Sequence, residues 1–475
     1  MKKRLIAAVA ALVLVAAGGA AAWRVGAVRT QAQLEATLAA MAASGVRIGH
    51  ARSTVSGFPF RYAMRLEDVV AAAPGGAWRL NLPWLETEVS LFSPDVVVSR
   101  PSPTATLALG SRPELGFGPA PVTARLYARN MVIETRLDGG WAGSVVSADS
   151  LSADLAGPGG AVGARLVLDA VAGGAEAAQG GLTRVRLAAD SLHVATAVFD
   201  LELAAPAFEG DGAGFGAGST DAFVNAGGVA RGALAWEALR LTGARVEIAG
   251  DAAPLSTETG PTAMSMVIED GRAAFGASFD DVELGLGAPL NGRAGATRAE
   301  ARFEMPVTTA PLPQPYALDL VLDAVALDEA IWSALDAEGR AVRQTMAARL
   351  RIGGLARMLR GLDGLAAAGA PPVAISTMEV EEAALDGFGG TFRAVGGFAM
   401  DGAPGGPEGA FTVSATAWRE MIGGLTAIGV LDAPRAAAVA AFAEAVHPGE
   451  GDPSRLSSEI VFGGGVVTAD GRRIR

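Results

Sequence analysis

The chain contains no cysteine and only three histidines among its 475 residues, and its only lysines are Lys2 and Lys3. Without thiols it cannot form disulfides, thiolate metal sites or iron–sulfur clusters, and it has no cysteine nucleophile. Because no lysine follows residue 3, the rest of the chain cannot form a Schiff base or a Walker A phosphate loop. An exported protein can avoid thiols altogether, so the lack of cysteine is consistent with a location outside the cytoplasm.

Sequence signatures of common active sites are also missing. None of the histidines, His50, His193 and His447, has a partner histidine at metal-ligand spacing, and neither G-x-S-x-G nor G-x-G-x-x-G occurs. Adjacent carboxylates such as Asp280-Asp281 are typical of solvated turns, and dispersed glycosidase carboxylates remain a minor alternative. We therefore predict no catalytic residue, no cofactor and no metal site, and a protein that is not an enzyme.

Positive charge and aromatic residues are scarce. The formal net charge is −12, which excludes general nucleic-acid binding because that requires a basic surface to displace counterions. Aromatic residues make up 6% of the chain, whereas glycine occurs 63 times. A core built mainly from Ala, Val and Leu suits a thin, repetitive sheet better than a globule with a bulky centre.

The one long hydrophobic run lies at the N-terminus. Lys2, Lys3 and Arg4 precede an uncharged apolar stretch, Leu5–Ala22, which is followed by Trp23. As a helix this stretch would span about 27 Å, enough to cross the hydrocarbon core of a bilayer. We favour a signal anchor in the inner membrane with the body in the periplasm. Cleavage after the small residues 20–22, giving a soluble periplasmic protein, is the alternative.

Beyond about residue 46 the dominant signal is alternation of apolar and polar residues. Tyr316, Leu318, Leu320 and Leu322 alternate with polar or smaller neighbours, and turn dipeptides such as Asn291-Gly292 recur. The pattern predicts a mainly β (α+β) protein: a long antiparallel curled sheet or groove with a few helices, preceded by an N-terminal membrane-targeting helix.

Composition divides the chain into five predicted segments. They are a signal anchor or signal peptide (1–24), a helical stalk (25–45), an N-terminal β region (46–205), a central β region with Gly-rich loops (206–310) and a C-terminal mixed region (311–475). The longest Gly-rich loop is predicted at 205–228. Helical patterns interrupt the strands after residue 327. The predicted helices are Glu329–Glu338 with Asp328 as cap, Arg343–Leu350, Arg357–Ala368, Trp418–Ile428 and Pro434–Val446.

One motif concentrates aromatic residues near the start of the body. It reads Gly57-Phe58-Pro59-Phe60-Arg61-Tyr62, and Trp78 and Pro83-Trp84 follow. One interpretation is a hydrophobic plug that closes the end of the first sheet, with Pro59 on an edge strand. The other is an aromatic lip close to the membrane, because such rings favour the interface. The candidate residues are Phe58, Pro59, Phe60, Tyr62, Trp78 and Trp84.

With this motif and the basic and apolar start, the chain resembles an uncharacterised envelope family of Gram-negative bacteria, domain of unknown function 2125. The stretch Gly396–Leu431, a strand, a Gly/Pro turn, a second strand and a helix, adds to the resemblance. More distantly, the plan is similar to that of AsmA-like proteins. That likeness implies an inner-membrane anchor, a curled sheet forming a groove and a role in moving or organising lipids.

These observations favour a non-enzymatic, periplasm-facing envelope protein that binds or transfers lipid in an apolar β groove. Its expected partners are the inner membrane, lipid and envelope proteins, with no nucleic acid. The alternative is an envelope scaffold or assembly factor that folds as a closed sandwich and binds a protein partner. The two differ in whether the apolar strand faces meet each other or enclose a slot.

Overall fold

The computed structural model describes most of the chain beyond residue 46. The described residues are 23–24, 28, 31–32, 47–73, 78–110, 122–136, 143–156, 162–177, 183–213, 224–225, 227–248, 251–288, 291–336, 338–361, 373–400, 407–446 and 452–473. Within them the protein is mainly β, as predicted. Contacts divide the chain into two units, Met1–Ala197 (unit 1) and Val198–Arg475 (unit 2). The five predicted segment boundaries stay a prediction.

The strands of unit 1 form one antiparallel sheet. They are β1 (Arg47–Gly49), β2 (Arg52–Ser56), β3 (Arg61–Ala72), β4 (Trp78–Ser90), β5 (Ser93–Pro101), β6 (Thr104–Leu109), β7 (Val122–Arg129), β8 (Val132–Arg136), β9 (Gly143–Ala156), β10 (Val162–Ala177), β11 (Thr183–Ala188) and β12 (Ser191–Thr196). Long strands pair with two short ones in succession: β3 with β1 and β2, β4 with β5 and β6, β9 with β7 and β8, and β10 with β11 and β12.

Unit 2 contains a second antiparallel array and three helices within its described residues. Its strands are β13 (Asp200–Ala204), β14 (Ala207–Ala213), β15 (Val229–Trp236), β16 (Ala238–Ile248), β17 (Asp251–Thr259), β18 (Thr262–Glu269), β19 (Arg272–Leu286), β20 (Gly292–Pro306), β21 (Gln314–Leu327), β22 (Met346–Met358), β23 (Val373–Gly387), β24 (Gly390–Ala399), β25 (Glu408–Thr416), β26 (Arg455–Gly463), β27 (Val466–Ala469) and β28 (Arg472–Arg473). The helices are α1 (Glu329–Leu335), α2 (Trp418–Ala427) and α3 (Ala433–Val446). From β19 onward each strand pairs with the next one in the chain, and β19 also pairs with β17 and β18.

The strand register separates an apolar face from a polar face in each unit. In unit 2 the row Phe275, Phe303, Leu318 and Ile352 runs across four paired strands. The adjacent row on the other face contains Arg302, Asp319 and Arg351. Because successive strand residues point to opposite sides, this register places the apolar side chains on one face and the charged ones on the other.

Bulges cross both sheets near the middle of their long strands. In unit 1, Asp68 in β3 and Ala170 in β10 adopt left-handed φ angles of 52° and 50°. Neither has a partner in the ladder, and neither do Pro83 and Asp149 opposite them, so the register is kept while the alternation shifts and Leu66 and Val69 share the apolar face. Val69 and Val171 are 3% and 2% exposed. Burial in unit 1 therefore concentrates on the apolar side of this line.

Unit 2 repeats this arrangement along its own bulge line. Asp281 in β19 and Ala324 in β21 have φ angles of 49°, and Ala205 separates β13 from β14 with a φ of 47°. On the apolar side of the same line, Trp236 and Thr262 are opposite one another and both are buried. Burial in unit 2 therefore also concentrates on the apolar side of its bulge line.

The helices of unit 2 cover one part of its apolar face. Trp418 at the start of α2 and Val446 at the end of α3 pack in one cluster with Leu456 of β26. Trp332 of α1 packs edge-on against Phe388, with ring centroids 6.2 Å apart. The helices thus provide the bulky interior that the strands lack.

The structure confirms three of the predicted helices and corrects other local predictions. The predicted helix Arg343–Leu350 was wrong, because residues 346–350 lie in strand β22. Residues 357 and 358 of the predicted helix Arg357–Ala368 also lie in β22, and residues 362–368 lie outside the described residues. Alternation in that strand places Leu350 and Ile352 on the apolar face, and this period of two outweighs the helix propensity of its Ala and Arg residues. The loop predicted at 205–228 was also wrong in part, because β14 occupies its start.

The N-terminal predictions fall mainly outside the described residues. The apolar segment at residues 1–22 lies outside them entirely, and only residues 28, 31 and 32 of the predicted stalk (25–45) are described, all as helix. Among the described parts of the chain, no helix has the length and apolar character needed to cross a membrane.

Candidate functional site: the apolar faces and the aromatic end of unit 1

Three of the predicted aromatic residues gather at one end of the unit 1 sheet. Phe58 and Phe60 are 49% and 61% exposed in the turn between β2 and β3, and a cis peptide bond joins Phe58 to Pro59. Tyr62 stacks on Trp23, with ring centroids 5.7 Å apart, and Phe58 meets the same indole edge-on at 5.9 Å. The structure therefore adds Trp23, which was not among the predicted site residues, to this group.

Trp78 and Trp84 lie apart from that end. Trp84 is opposite Glu67, on the polar face near the bulge of β3, where the Arg65 guanidinium lies 4.4 Å from the ring centroid. Trp78 begins β4, at the opposite end from Tyr62, and pairs with Leu109. The six predicted residues consequently do not form a single site.

The apolar face of unit 1 continues across its strands behind the aromatic end. Leu126, Ala153, Leu166 and Val194 form one row across β7, β9, β10 and β12. These side chains are half-buried, and they do not belong to the cluster of buried residues around Val171. This face is accessible along much of its length, as Leu187 at 36% exposure also shows.

Unit 2 carries the larger accessible apolar surface. Six large side chains on its apolar face are each more than a third exposed although they lie on paired strands. We call them the apolar strip: Phe208, Met264, Met266, Phe275, Phe303 and Leu322. Half-buried Leu234, Leu318 and Leu320 fill the positions between them. Contiguous apolar surfaces of this kind mark binding sites for apolar ligands or partners.

Glycine and methionine give the strip room and adaptability. A Cβ atom at Gly210 would lie 2.9 Å from Cζ of Phe208, so the absence of a side chain there lets the Phe208 ring lie along the sheet. Gly232 on the neighbouring strand lies beneath the same ring. Met264 and Met266 have flexible thioether chains that can repack around different apolar shapes.

The polar faces carry charged pairs instead. In unit 1, Arg165 donates to both carboxylate oxygens of Asp154, and the Nε–Oδ1 distance is 2.7 Å. This hydrogen bond holds the pKa of Asp154 below its ordinary value. In unit 2, Arg231 donates to Glu269 at 2.6 Å, which raises the pKa of the guanidinium. Such exposed pairs add little stability but keep these faces hydrated, which leaves the opposite faces as the apolar surfaces.

The strip ends where aromatic side chains and helices fill the apolar face. Three aromatic rings contact one another on β24, β25 and β26. The distance between ring centroids is 6.3 Å for Phe398 and Phe411, 6.2 Å for Phe398 and Phe462, and 5.8 Å for Phe411 and Phe462. Next to them, α2 and α3 cover Ala415 and Leu456. Tyr316 lies further along the same face; burial raises the pKa of its hydroxyl, which donates to the Thr377 carbonyl at 3.4 Å.

The arrangement combines accessible apolar surfaces with charged pairs on the opposite faces. Within the described residues, no group of three or more His, Asp or Glu side chains could hold a metal ion. Of the strip, only Leu322 stood out in the sequence, as part of an alternating run, although Phe303 and Met305 also alternate with charged neighbours. Alternation predicts which residues share a face, but only the register of distant strands brings Phe208 and Phe303 to one surface.

Comparison with known proteins identifies a family. Residues 23–248 and 198–471 match the family described as an uncharacterized protein conserved in bacteria (DUF2125). Neither a curated protein nor a solved structure matches the chain. The two matched stretches cover well over half of its length, so this protein belongs to the uncharacterized bacterial family DUF2125.

Proposed function

We propose that this protein is a non-enzymatic lipid-binding protein of the bacterial envelope, which holds acyl chains in a groove along the apolar faces of its curled sheets. The accessible apolar strip of unit 2 is the observation that supports this function most directly. Side chains of this size are expected to be covered in a protein surrounded only by water. Acyl chains would cover them without requiring a polar recognition group.

The energy of such binding needs no dedicated residue. Each methylene group removed from water contributes about 0.8 kcal/mol, so about ten of them supply about 8 kcal/mol. Before the entropy lost on association, this corresponds to roughly micromolar affinity. A strip formed by Phe, Met and Leu side chains can thus bind acyl chains of differing length.

The N-terminal sequence supports the cellular location. Lys2, Lys3 and Arg4 before the apolar run Leu5–Ala22 favour an inner-membrane anchor with the body in the periplasm. An anchor followed by long antiparallel sheets with one apolar face also resembles the plan of AsmA-like proteins, which are implicated in lipid movement. We therefore propose the inner membrane and its lipids as the partners, and no nucleic acid.

Photo-crosslinking in cells tests this proposal. The variant Phe275→p-benzoylphenylalanine replaces the phenyl ring in the centre of the strip with a similar, photoreactive aromatic side chain. Irradiation followed by mass spectrometry of the intact protein should detect a phospholipid or fatty-acyl adduct. The matched control, Val461→p-benzoylphenylalanine, lies on the polar face at 41% exposure and should give no lipid adduct.

Two results would count against lipid binding. Adducts with a protein at position 275, without lipid adducts, would favour the envelope scaffold as the function. Equal lipid labelling at positions 275 and 461 would show contact with bulk lipid rather than binding in the strip.

A further inference from the structure

The aromatic end of unit 1 presents exposed apolar side chains from two neighbouring turns. Phe58, Phe60, Leu91 and Phe92, the aromatic rim, are 49%, 61%, 48% and 79% exposed. The turn before β3 supplies Phe58 and Phe60, and the turn after β4 supplies the others. The two turns meet because Arg61 pairs with Ser90, and the Leu91 N–H donates to the Phe60 carbonyl at 3.0 Å.

Contacts of Trp23 place this residue beside the rim. The indole N–H of Trp23 donates to the carbonyl oxygen of Arg61 at 3.0 Å, and its ring contacts both Tyr62 and Phe58. In the sequence, Trp23 follows directly after Leu5–Ala22. Trp23, the residue directly after the apolar run in the sequence, is therefore held beside the aromatic rim.

We infer that the aromatic rim inserts into the interfacial region of the lipid bilayer that the N-terminal segment enters. A ring stacked next to the last residue of a membrane anchor lies at the depth of the lipid headgroups, where Trp, Tyr and Phe side chains are favoured. The rim points exposed rings into that layer, and the exposed Arg24, next to Trp23 in the chain, supplies a positive charge for lipid phosphates. The partner chemistry is thus phospholipid, not protein.

Membrane contact at this end also gives the apolar face a lipid source. Tyr62, Val89 and Val97 form the row of that face nearest to the rim. If acyl chains bind to the apolar faces, as the proposed function holds, the rim places one end of an apolar face against the leaflet that contains those chains. The position of the rim itself rests on the proposed anchor and does not depend on lipid binding by the strip.

The absence of native cysteine makes single-site labelling a direct test. Full-length Phe60→Cys and Phe92→Cys variants, labelled with bimane, would be reconstituted into vesicles of phosphatidylethanolamine and phosphatidylglycerol that contain doxyl-labelled lipid. The control is Val145→Cys, which is 61% exposed on the polar face of the same unit. We expect at least twofold quenching at positions 60 and 92 and little at 145.

The outcomes separate this inference from the proposed function. The inference would be overturned if the labels at 60 and 92 were quenched no more than the label at 145. It would also be overturned if these labels were protected from aqueous iodide but not quenched by doxyl lipid, because that result indicates contact with a protein. Lipid adducts at position 275 could still form in either case. Circular dichroism of each labelled protein identifies any variant whose fold has changed.

Discussion

Phe275 and Phe303 lie directly opposite each other on strands β19 and β20, on the apolar face of unit 2, yet they remain 45% and 38% exposed. Cross-strand aromatic pairs usually stabilise a sheet by roughly 0.2–1 kcal/mol. The exposed part of this pair is apolar area that remains available to a ligand. Substitution at this point should therefore affect binding much more than folding.

The variant Phe275→Glu tests whether binding is affected more than folding. A carboxylate in the centre of the strip would have to lose its hydration when an acyl chain binds, so we expect at least tenfold less lipid to co-purify with the protein. The free energy of unfolding should fall by about 1 kcal/mol or less, since only the cross-strand contact is lost. Lipid is measured by extraction and mass spectrometry, and stability by urea denaturation.

Val461→Glu is the matched control for this substitution. Val461 is 41% exposed and is paired with Ala410 on the polar face, so a new charge there stays hydrated. Lipid content should match that of the unchanged protein. Equal loss of lipid in both variants would show that the effect comes from added negative charge and not from the strip.

Local patterns predicted much of this fold because each depends on neighbours in the chain. Alternation predicted β21, and the Asp328 cap predicted the start of α1, where its carboxylate accepts the N–H of Ile331. Alternation was harder to recognise in β22, whose Ala and Arg residues also suit a helix. The mainly β class is therefore readable from the sequence, whereas this strand needed its partners β21 and β23 to define it.

The candidate site was harder to predict because it depends on distant pairing. Phe208 reaches the same surface as Phe303 only through the successive registers of β14, β15, β18, β19 and β20. The aromatic motif was visible in the sequence, but its contact with Trp23 spans a long stretch of chain. Sequence spacing also grouped Trp84 with this motif, although it lies on the polar face near the bulge.

Two adjacent glycines in α2 should respond oppositely to the same substitution. A Cβ atom at Gly423 would meet nothing within 4 Å, whereas one at Gly424 would lie 2.8 Å from the Phe388 side chain. Gly423→Ala should therefore stabilise unit 2 by about 1 kcal/mol through helix propensity. Gly424→Ala should destabilise it by about 1–3 kcal/mol through overpacking, both measured by urea denaturation. If both substitutions changed the free energy of unfolding in the same direction, the result would contradict the packing of α2 on Phe388.

The bulge line of unit 2 predicts an unusual effect of Ala-to-Gly substitution. Ala324 has a φ of 49°, a conformation that costs a residue with a Cβ about 1–2 kcal/mol. Ala324→Gly removes that strain, whereas Ala317→Gly, in the regular part of the same strand, gains only flexibility in the unfolded chain. Ala324→Gly should be the more stable variant by about 1–2 kcal/mol in thermal or urea unfolding. Equal stability would argue against a bulge at this position.

Carboxylates around α1 make this helix sensitive to acid. Hydrogen bonds from the N–H groups of Ala341 and Arg340 hold the pKa of Asp336 below its ordinary value of 3.8. The N–H of Ile331 does the same for the pKa of the capping Asp328, and Arg343 does so for the pKa of Glu329. Because all three pKa values are lowered by folding, their stabilisation is fully present above the unfolded values and is lost as the pH falls through the folded ones.

Hydrogen exchange of the α1 amides at pH 5 and pH 3 measures this effect. After correction for the intrinsic pH dependence of exchange, protection should fall at the lower pH, because protonated carboxyls accept these hydrogen bonds more weakly. Asp336→Asn removes one charge at every pH, so it should lower protection at pH 5 and reduce the further loss at pH 3. Unchanged protection of α1 in the unsubstituted protein between these two pH values would contradict the assigned role of the carboxylates. The strands at the other end of unit 2, where β15 pairs with β18, serve as the internal reference because their protection should change less than that of α1.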